Sequence, residues 1–410
     1  MSKYVIIGGG IAGIHCIEGI RSVDREGTIT LVSAEETSNY GRPLISYYLE
    51  GKTDLPHMSY RGQDFYKRNA VTALHGVTAV KIDPKEKKVL LSDDSSLPYD
   101  KLCVCAGASP FVPPFEGLDT VEKKFSFMTL ADARSLERAV SPGARVLIVG
   151  GGLIGLKCAE GIKARVASVT VCDLAPHVLS SILEPESAAM VEKHLESQGI
   201  RLLLGDSAAR FESHTAHMKS GEIVTFDTLV LAIGIRPNVS LLKEAGGETG
   251  RGIVTDDHMA TSLSDIYAAG DCVESQNTVT GQRGVLAILP NAATQGHAAG
   301  VNMAGGQETF TGGIPMNSMG LFGLHLMTAG SYEGESFEEK GPGRYKKLFV
   351  KDGHMVGFIL IGDVRRAGIY TALIREKRPL SSLDFEAVRR EPSLLPFGST
   401  YRIEKLGVPV

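Results

Sequence analysis

Residues 3–23 read KYVIIGGGIAGIHCIEGIRSV, and residues 144–164 read ARVLIVGGGLIGLKCAEGIKA. Each opens on a β-branched apolar run, passes through G-x-G-x-x-G and continues into a helix-compatible segment. Each is followed by a second apolar run, GTITLVSAEE and SVTVCDLAPH. A strand, a glycine turn, a helix and a second strand are the βαβ unit that cradles a dinucleotide. Gly8 and Gly150 permit the tight turn. Gly10 and Gly152 let backbone approach a pyrophosphate, and Gly13 and Gly155 let helix lie close on strand. The helix start then faces the phosphates with unpaired N–H groups and the positive end of its dipole. One match would say little, but two in their required context predict an α/β chain with two nucleotide sites.

Outward from these units, the acidic residues differ. The second unit ends its second strand at Asp173, placed to accept both ribose hydroxyls of an adenosine, which favours NAD over NADP. No Arg follows closely to take a 2′-phosphate, and His177 is the nearest cationic side chain. In the first unit Ser33 ends the strand and Glu35 is the ribose candidate, against the alternative of a solvated acidic turn at Glu35–Glu36. Between the units, YDKLCVCAGASPFVPPFEG is a strand running into a Gly turn and a Pro-rich crossing near residues 109–114. FDTLVLAIGIRPN reads as a strand ending at Gly234, and TSLSDIYAAGDCVE as one ending at Gly270-Asp271. A carboxylate directly after such a glycine can approach a ribityl chain or a ribose, although Gly-Asp alone is usually a turn.

Composition narrows the class. A chain of 410 residues, 43% hydrophobic and 22% charged, is long enough for two or three domains. Its net charge of −4 is too small to imply attraction to nucleic acid or membrane. Residues 313–410 hold 14 Lys+Arg against 11 Asp+Glu, a basic end on an acidic body that could steer an acidic partner. No run approaches the roughly 18 apolar residues of a membrane helix, and MNSMGLFGLHLMTAG is interrupted by Asn317 and His325. With no secretory signal before the first strand, a cytoplasmic protein is expected. None of the six cysteines forms C-x-x-C; Cys103 and Cys105 share one strand face and read as buried structural thiols. There is thus no metal or iron–sulfur module, and His15, His57 and His325 read as packing or surface residues. No nucleophile or general base is expected, so no catalytic residue is assigned.

One more stretch, NYGRPLISYYLEGK at residues 39–52, carries the resemblance furthest. With the ordered motifs above, the chain resembles the FAD-dependent pyridine-nucleotide oxidoreductases of the glutathione-reductase-like superfamily. Within it, Y-x-R-P-x-I-S is similar to the branch of NAD(P)H:rubredoxin reductases, ferredoxin reductases and nitrite-reductase flavin portions. The resemblance implies two Rossmann-like domains and a small C-terminal α+β domain. FAD binding falls to residues 1–108 and 244–312, NAD(P)H binding to 109–243, and dimerisation or partner docking to 313–410. It implies FAD at Gly8, Gly10, Ile11, Ala12, Gly13, Glu35, Arg42, Pro43, Ala106, Gly107, Gly270 and Asp271. It implies NAD, as NADH rather than NADPH, at Gly150, Gly152, Gly155, Asp173 and Gly234. Relatives that reduce disulfides carry cysteine in the 39–52 segment; here there is none, so electrons leave the flavin directly. The resemblance therefore implies a one-electron protein acceptor: rubredoxin, a ferredoxin or another iron–sulfur protein. The basic groups Arg344/Lys346/Lys347, Arg365/Arg366 and Arg375/Lys377/Arg378 are docking candidates. An NADH oxidase or peroxidase, or a redox-sensing or assembly partner that binds FAD and NADH, are the rival readings. Many members have Glu where this chain has Lys157; that lysine either supports a reduced flavin or pairs with Glu160 at i,i+3.

Overall fold

The structure, a computed structural model, describes residues 1–37 and 39–406. The chain divides into two compact units. The first holds Met1–Pro176, Gly199–Gln276 and Arg283–Gly313, and the second His177–Gln198, Asn277–Gln282 and Ile314–Val410.

The first unit contains the same construction twice. Strands β1 (Lys3–Ile7), β2 (Thr28–Ser33), β3 (Val71–His75) and β4 (Lys101–Val104) join a short edge strand, Ile266–Ala268, in one sheet. Its order is Ile266–Ala268, β4, β1, β2, β3, with every pairing parallel. Strands β5 (Arg145–Val149), β6 (Ser168–Asp173), β7 (Ile200–Leu204) and β8 (Thr228–Leu231) repeat this order. The short strand Lys124–Phe125 takes the edge, and all pairings are again parallel. Each sheet carries its own antiparallel three-stranded appendage, Ala79–Asp83 to Ser96–Pro98 in one and Ala208–Glu212 to Ile223–Thr225 in the other.

The apolar runs explain the parallel sheets. Tyr4 to Ile7 and Val146 to Val149 are buried without alternation, the pattern of strands covered on both faces. In the first half, helix α1 (Ile11–Val23) follows β1, and the short α2 (Ile45–Leu49) lies within the 39–52 stretch. In the second, α3 (Leu130–Ala139) precedes β5 and α4 (Leu153–Lys163) follows it. Helix α5 (Leu289–Met303) crosses α1 at backbone contact. A Cβ on Gly296 or Gly300 would fall inside the α1 backbone at Ala12 or Cys16, so only glycine allows this approach.

The second unit is built on an antiparallel sheet of β9 (Met316–Leu321), β10 (Leu324–Gly330), β11 (Glu335–Gly341), β12 (Arg344–Lys351) and β13 (His354–Ile361), in the order β9-β10-β13-β12-β11. The β12–β13 turn falls at Asp352-Gly353, both with positive φ, as the sequence predicts. Helices α6 (Ala367–Arg375) and α7 (Phe385–Arg390) bring Tyr370, Leu373 and Val388 to a core with Leu348 and Phe358. The helix Pro185–Ser197 belongs to this unit, where Glu184 just before it pairs with Lys347 at 2.7 Å. No helix among the described residues is long and apolar enough to cross a membrane.

Candidate functional site

At the carboxyl end of the first sheet lies a cavity of about 500 Å3. It is lined by ten of the twelve residues expected at a flavin: Gly8, Gly10, Ile11, Ala12, Glu35, Arg42, Ala106, Gly107, Gly270 and Asp271. Gly13 and Pro43 do not reach it. Gly13 is packed under the turn, where a Cβ would strike the Gly8 carbonyl, and Pro43 sits in the short 3-10 turn Arg42–Leu44 beside the wall. The turn itself depends on Gly8, whose φ of +117° and proximity to the Cys105 carbonyl leave no room for a side chain. Gly10 caps α1 without any side-chain bond, and the first intrahelical bond runs from the Ile14 N–H to its carbonyl. The amides at the start of α1 therefore point at a space that a Cβ on Gly10 would enter unopposed, with nothing within 4 Å. That open cradle at a helix N-terminus suits a pyrophosphate.

The cavity wall also carries a charged network. The Arg42 guanidinium bonds Glu35 at 2.5 Å through Nη2 and Oε1, and the Tyr40 hydroxyl bonds the other carboxylate oxygen at 2.5 Å. Burial works against the Arg42 charge, but Glu35, Tyr40 and Asp271 more than offset it and raise its pKa. Burial pushes the Asp271 carboxyl up, with Arg42 pulling the other way. Burial, and then the Glu35 carboxylate, push the Tyr40 hydroxyl up. The alternative of Glu35 as a solvated acidic turn is not what the fold shows, because both its oxygens are engaged in the wall. Tyr40, Met128, Thr129 and Asn238 line the same cavity and were missed in the sequence. Asn238 fixes the Ala106–Gly107 turn, donating from its side chain to the Ala106 carbonyl at 2.8 Å and from its amide to the Gly107 carbonyl at 3.0 Å. Its place directly after Arg236-Pro237 was the one available signal.

The five residues expected at the nicotinamide nucleotide gather elsewhere, at the carboxyl end of the second sheet. Gly150 repeats Gly8 with φ of +121°, packed on the Ala232 carbonyl, and Gly155 repeats Gly13 by packing on Gly150. Gly152 repeats Gly10, with nothing within 4 Å of a Cβ. Asp173 lies against the glycine turn. Its Oδ2 accepts from the Gly151 N–H at 2.6 Å and its Oδ1 from the Ala175 N–H at 2.8 Å. Gly234 has φ of +157° and open space around it, two residues past Ala232.

The two halves meet through the 39–52 stretch. Helix α2 lies on α4, where a Cβ on Gly161 would come within 3.0 Å of the Ser46 carbonyl. The Lys157 ammonium sits 4.4 Å from the centre of the Tyr47 ring and is ion-paired with the buried Glu160. This is one of the two arrangements open to that lysine from the sequence, the i,i+3 pair. The six cysteines are all free and buried. Cys103 and Cys105 face the same way with sulfurs 3.5 Å apart, and burial is among the forces that push both thiols well up. Among the described residues there is no group of His, Cys, Asp and Glu that could hold a metal.

A family model for pyridine nucleotide-disulphide oxidoreductases matches residues 2–296. The chain belongs to that family. A second model, the rubredoxin NAD+ reductase C-terminal domain, matches residues 315–378, which are the antiparallel sheet and α6. As a member of the family, the chain is a flavoprotein oxidoreductase that uses FAD and NAD(H). It is 31% identical over 396 residues to the NADH-dependent phenylglyoxylate dehydrogenase subunit epsilon of Aromatoleum evansii, covering 93% of each chain. It is also 31% identical over 377 residues to the rubredoxin-NAD(+) reductase of Alcanivorax borkumensis, covering 88% of this chain and 96% of that one. Among solved structures, the covalent putidaredoxin reductase–putidaredoxin complex superposes with a TM-score of 0.84 at 25% identity, covering 92% of this chain and 94% of that one. Residues 39–52, which bring Tyr40 and Arg42 to the wall of the first cavity, carry no cysteine.

Proposed function

We propose that this oxidoreductase passes electrons from NADH through FAD to an iron–sulfur or rubredoxin-type protein. The observation that carries the reading is the pair of like glycine cradles on two like sheets, joined by a 39–52 segment without a thiol. FAD, when bound, exchanges electrons in pairs with a nicotinamide and singly with an iron centre. The chain's own part is binding and orientation. The amides of Ile11 and Ala12 beside Gly10 hold the flavin nucleotide's pyrophosphate, and Glu35 its adenosine ribose. Arg42, Asp271 and the Ala106–Gly107 turn hold the rest of the cofactor. The cradle at Gly152 takes the pyrophosphate of NADH, while Asp173 accepts its ribose hydroxyls and rejects a 2′-phosphate. Pro43, Gly13, Gly155 and Gly234 shape these sites from behind or beside them.

In this reading residues 1–108 and 244–312 form the flavin domain and 109–243 the nicotinamide domain. Residues 313–410 form a surface for dimerisation or for docking the acceptor. The six free thiols suit a reducing compartment, the cytoplasm. The test is anaerobic. Purified protein carrying one FAD per chain should lose its flavin absorbance within the mixing time scale on adding NADH, and far more slowly with NADPH. A protein without flavin, or one reduced equally fast by both nucleotides, would contradict the assignment.

A further inference from the structure

We propose that Tyr40 is a positioning residue of the flavin site, orienting Glu35 and, through it, Arg42, against the cap of α3. The inference rests on the reading that FAD occupies the first cavity. Tyr40 is 7% exposed, and its hydroxyl makes two bonds of opposite sense. The backbone N–H of Leu130 donates to it at 3.0 Å. An amide can only donate, so the hydroxyl oxygen must accept there, and its single proton is left to point at Glu35 Oε2, 2.5 Å away. The Glu35 carboxylate is thereby fixed in rotation, and its other oxygen presents itself to Arg42 at 2.5 Å. The donors converge on Glu35: the Leu130 N–H donates to Tyr40, the Tyr40 O–H to one carboxylate oxygen, and the Arg42 guanidinium to the other, so the bonds on the Tyr40 side polarise one another.

The Leu130 end of this series is also structural. Leu130 is the first residue of α3, so its N–H is one of the amides a helix cannot satisfy itself. The Thr129–Asp132 capping box takes the amides of Met128, Thr129 and Asp132, and Tyr40 takes that of Leu130. Met128 and Thr129 line the same cavity, so the cap of α3 is part of its wall. Tyr40 thus ties a wall contributed by the segment leading into β5 to the acid that holds the ribose. Burial and the neighbouring carboxylate keep the hydroxyl protonated throughout the working pH range, so Tyr40 remains the donor to Glu35.

The experiment is a double-mutant cycle read as FAD affinity, by quenching of flavin fluorescence on titrating FAD into apoprotein. Tyr40→Phe should weaken FAD at least about tenfold when Glu35 is present. In a Glu35→Ala background, where there is nothing to orient, Tyr40→Phe should change affinity less than about twofold. An equal factor in both backgrounds would mean that the ring only packs, and would overturn the proposal. A second readout needs no variant. Hydrogen exchange at the Leu130 amide of the wild-type protein should slow when FAD binds, and an unchanged rate would also overturn the proposal. Failure of the wild-type apoprotein to bind FAD at all would instead refute the flavin assignment on which the proposal stands.

Discussion

The glycines of the two fingerprints separate into those that serve the fold and those that serve the ligand, and alanine substitution distinguishes them with opposite outcomes. Gly13 lies within α1, where replacing Gly by Ala ordinarily stabilises a helix by up to about 1 kcal/mol. Here the added Cβ would lie 3.2 Å from the Gly8 carbonyl carbon, with the carbonyl oxygen nearer still, and 3.5 Å from Ile6 Cγ2. Both obstacles are fixed, one by backbone and one by the core, so overpacking of roughly 1–3 kcal/mol dominates and the sign reverses. The apoprotein should lose several degrees in melting temperature. At Gly10, φ is −80° and ψ −171°, open to any residue, and a Cβ meets nothing within 4 Å. Gly10→Ala should leave apoprotein stability within about 0.5 kcal/mol of wild type. Its methyl group would stand where the pyrophosphate must approach, so FAD affinity should fall about tenfold or more. Gly155→Ala and Gly152→Ala should repeat the contrast in the second unit, the latter weakening NADH and not FAD. The assays are thermal unfolding of apoprotein and nucleotide titration. A Gly10→Ala protein as unstable as Gly13→Ala, or one that binds FAD like wild type, would refute the reasoning.

Three further outcomes follow from the same geometry. Asp173→Ala removes the acceptor of two backbone N–H groups and the proposed ribose contact; NADH affinity should fall about tenfold, and the preference for NADH over NADPH should narrow in parallel titrations. Burial pushes Cys172 and Cys272 up to about 12 and raises Cys158 and Cys16, while thiol–thiol hydrogen bonds and then burial raise Cys103 and Cys105, so the native protein at pH 8 should release almost no colour with a disulfide thiol reagent, while all six thiols react after unfolding. Gly161→Val should wedge α2 from α4 at Ser46 and Leu49, costing about 1–3 kcal/mol in denaturant unfolding.

Much of the fold and of both cradles was legible because it is local. The turn, the cap and the helix start of each fingerprint fall within a few residues, and the apolar runs on either side announce buried parallel strands. What escaped the sequence is whatever joins distant segments. Tyr40 draws its meaning from the amide of Leu130, 90 residues away. Met128 and Thr129 enter the cavity only because α3 begins beside it. Glu35 could be read as a solvated turn until Tyr40 and Arg42 closed on it. The basic groups of the C-terminal part are also rearranged by the fold. On β12, alternation sends Lys346 to Glu339 at 2.7 Å and Lys347 to Glu184 at 2.7 Å, on opposite faces. Arg365 is held by Asp363 and Arg366 by Glu391. The charge count of that region was right, and the fold brings Arg344, Lys346 and Arg365 of two of the groups to one cavity.

The most direct test of the account follows the electron out of the flavin. Protein reduced with one equivalent of NADH under anaerobic conditions is mixed in a stopped-flow instrument with oxidised rubredoxin, with oxidised ferredoxin or with air-saturated buffer. The account predicts reoxidation of the flavin by one of the iron proteins at a rate far above that with oxygen, with two iron centres reduced per flavin. Reoxidation by oxygen that outpaces both iron proteins would contradict it and would make the chain an oxidase.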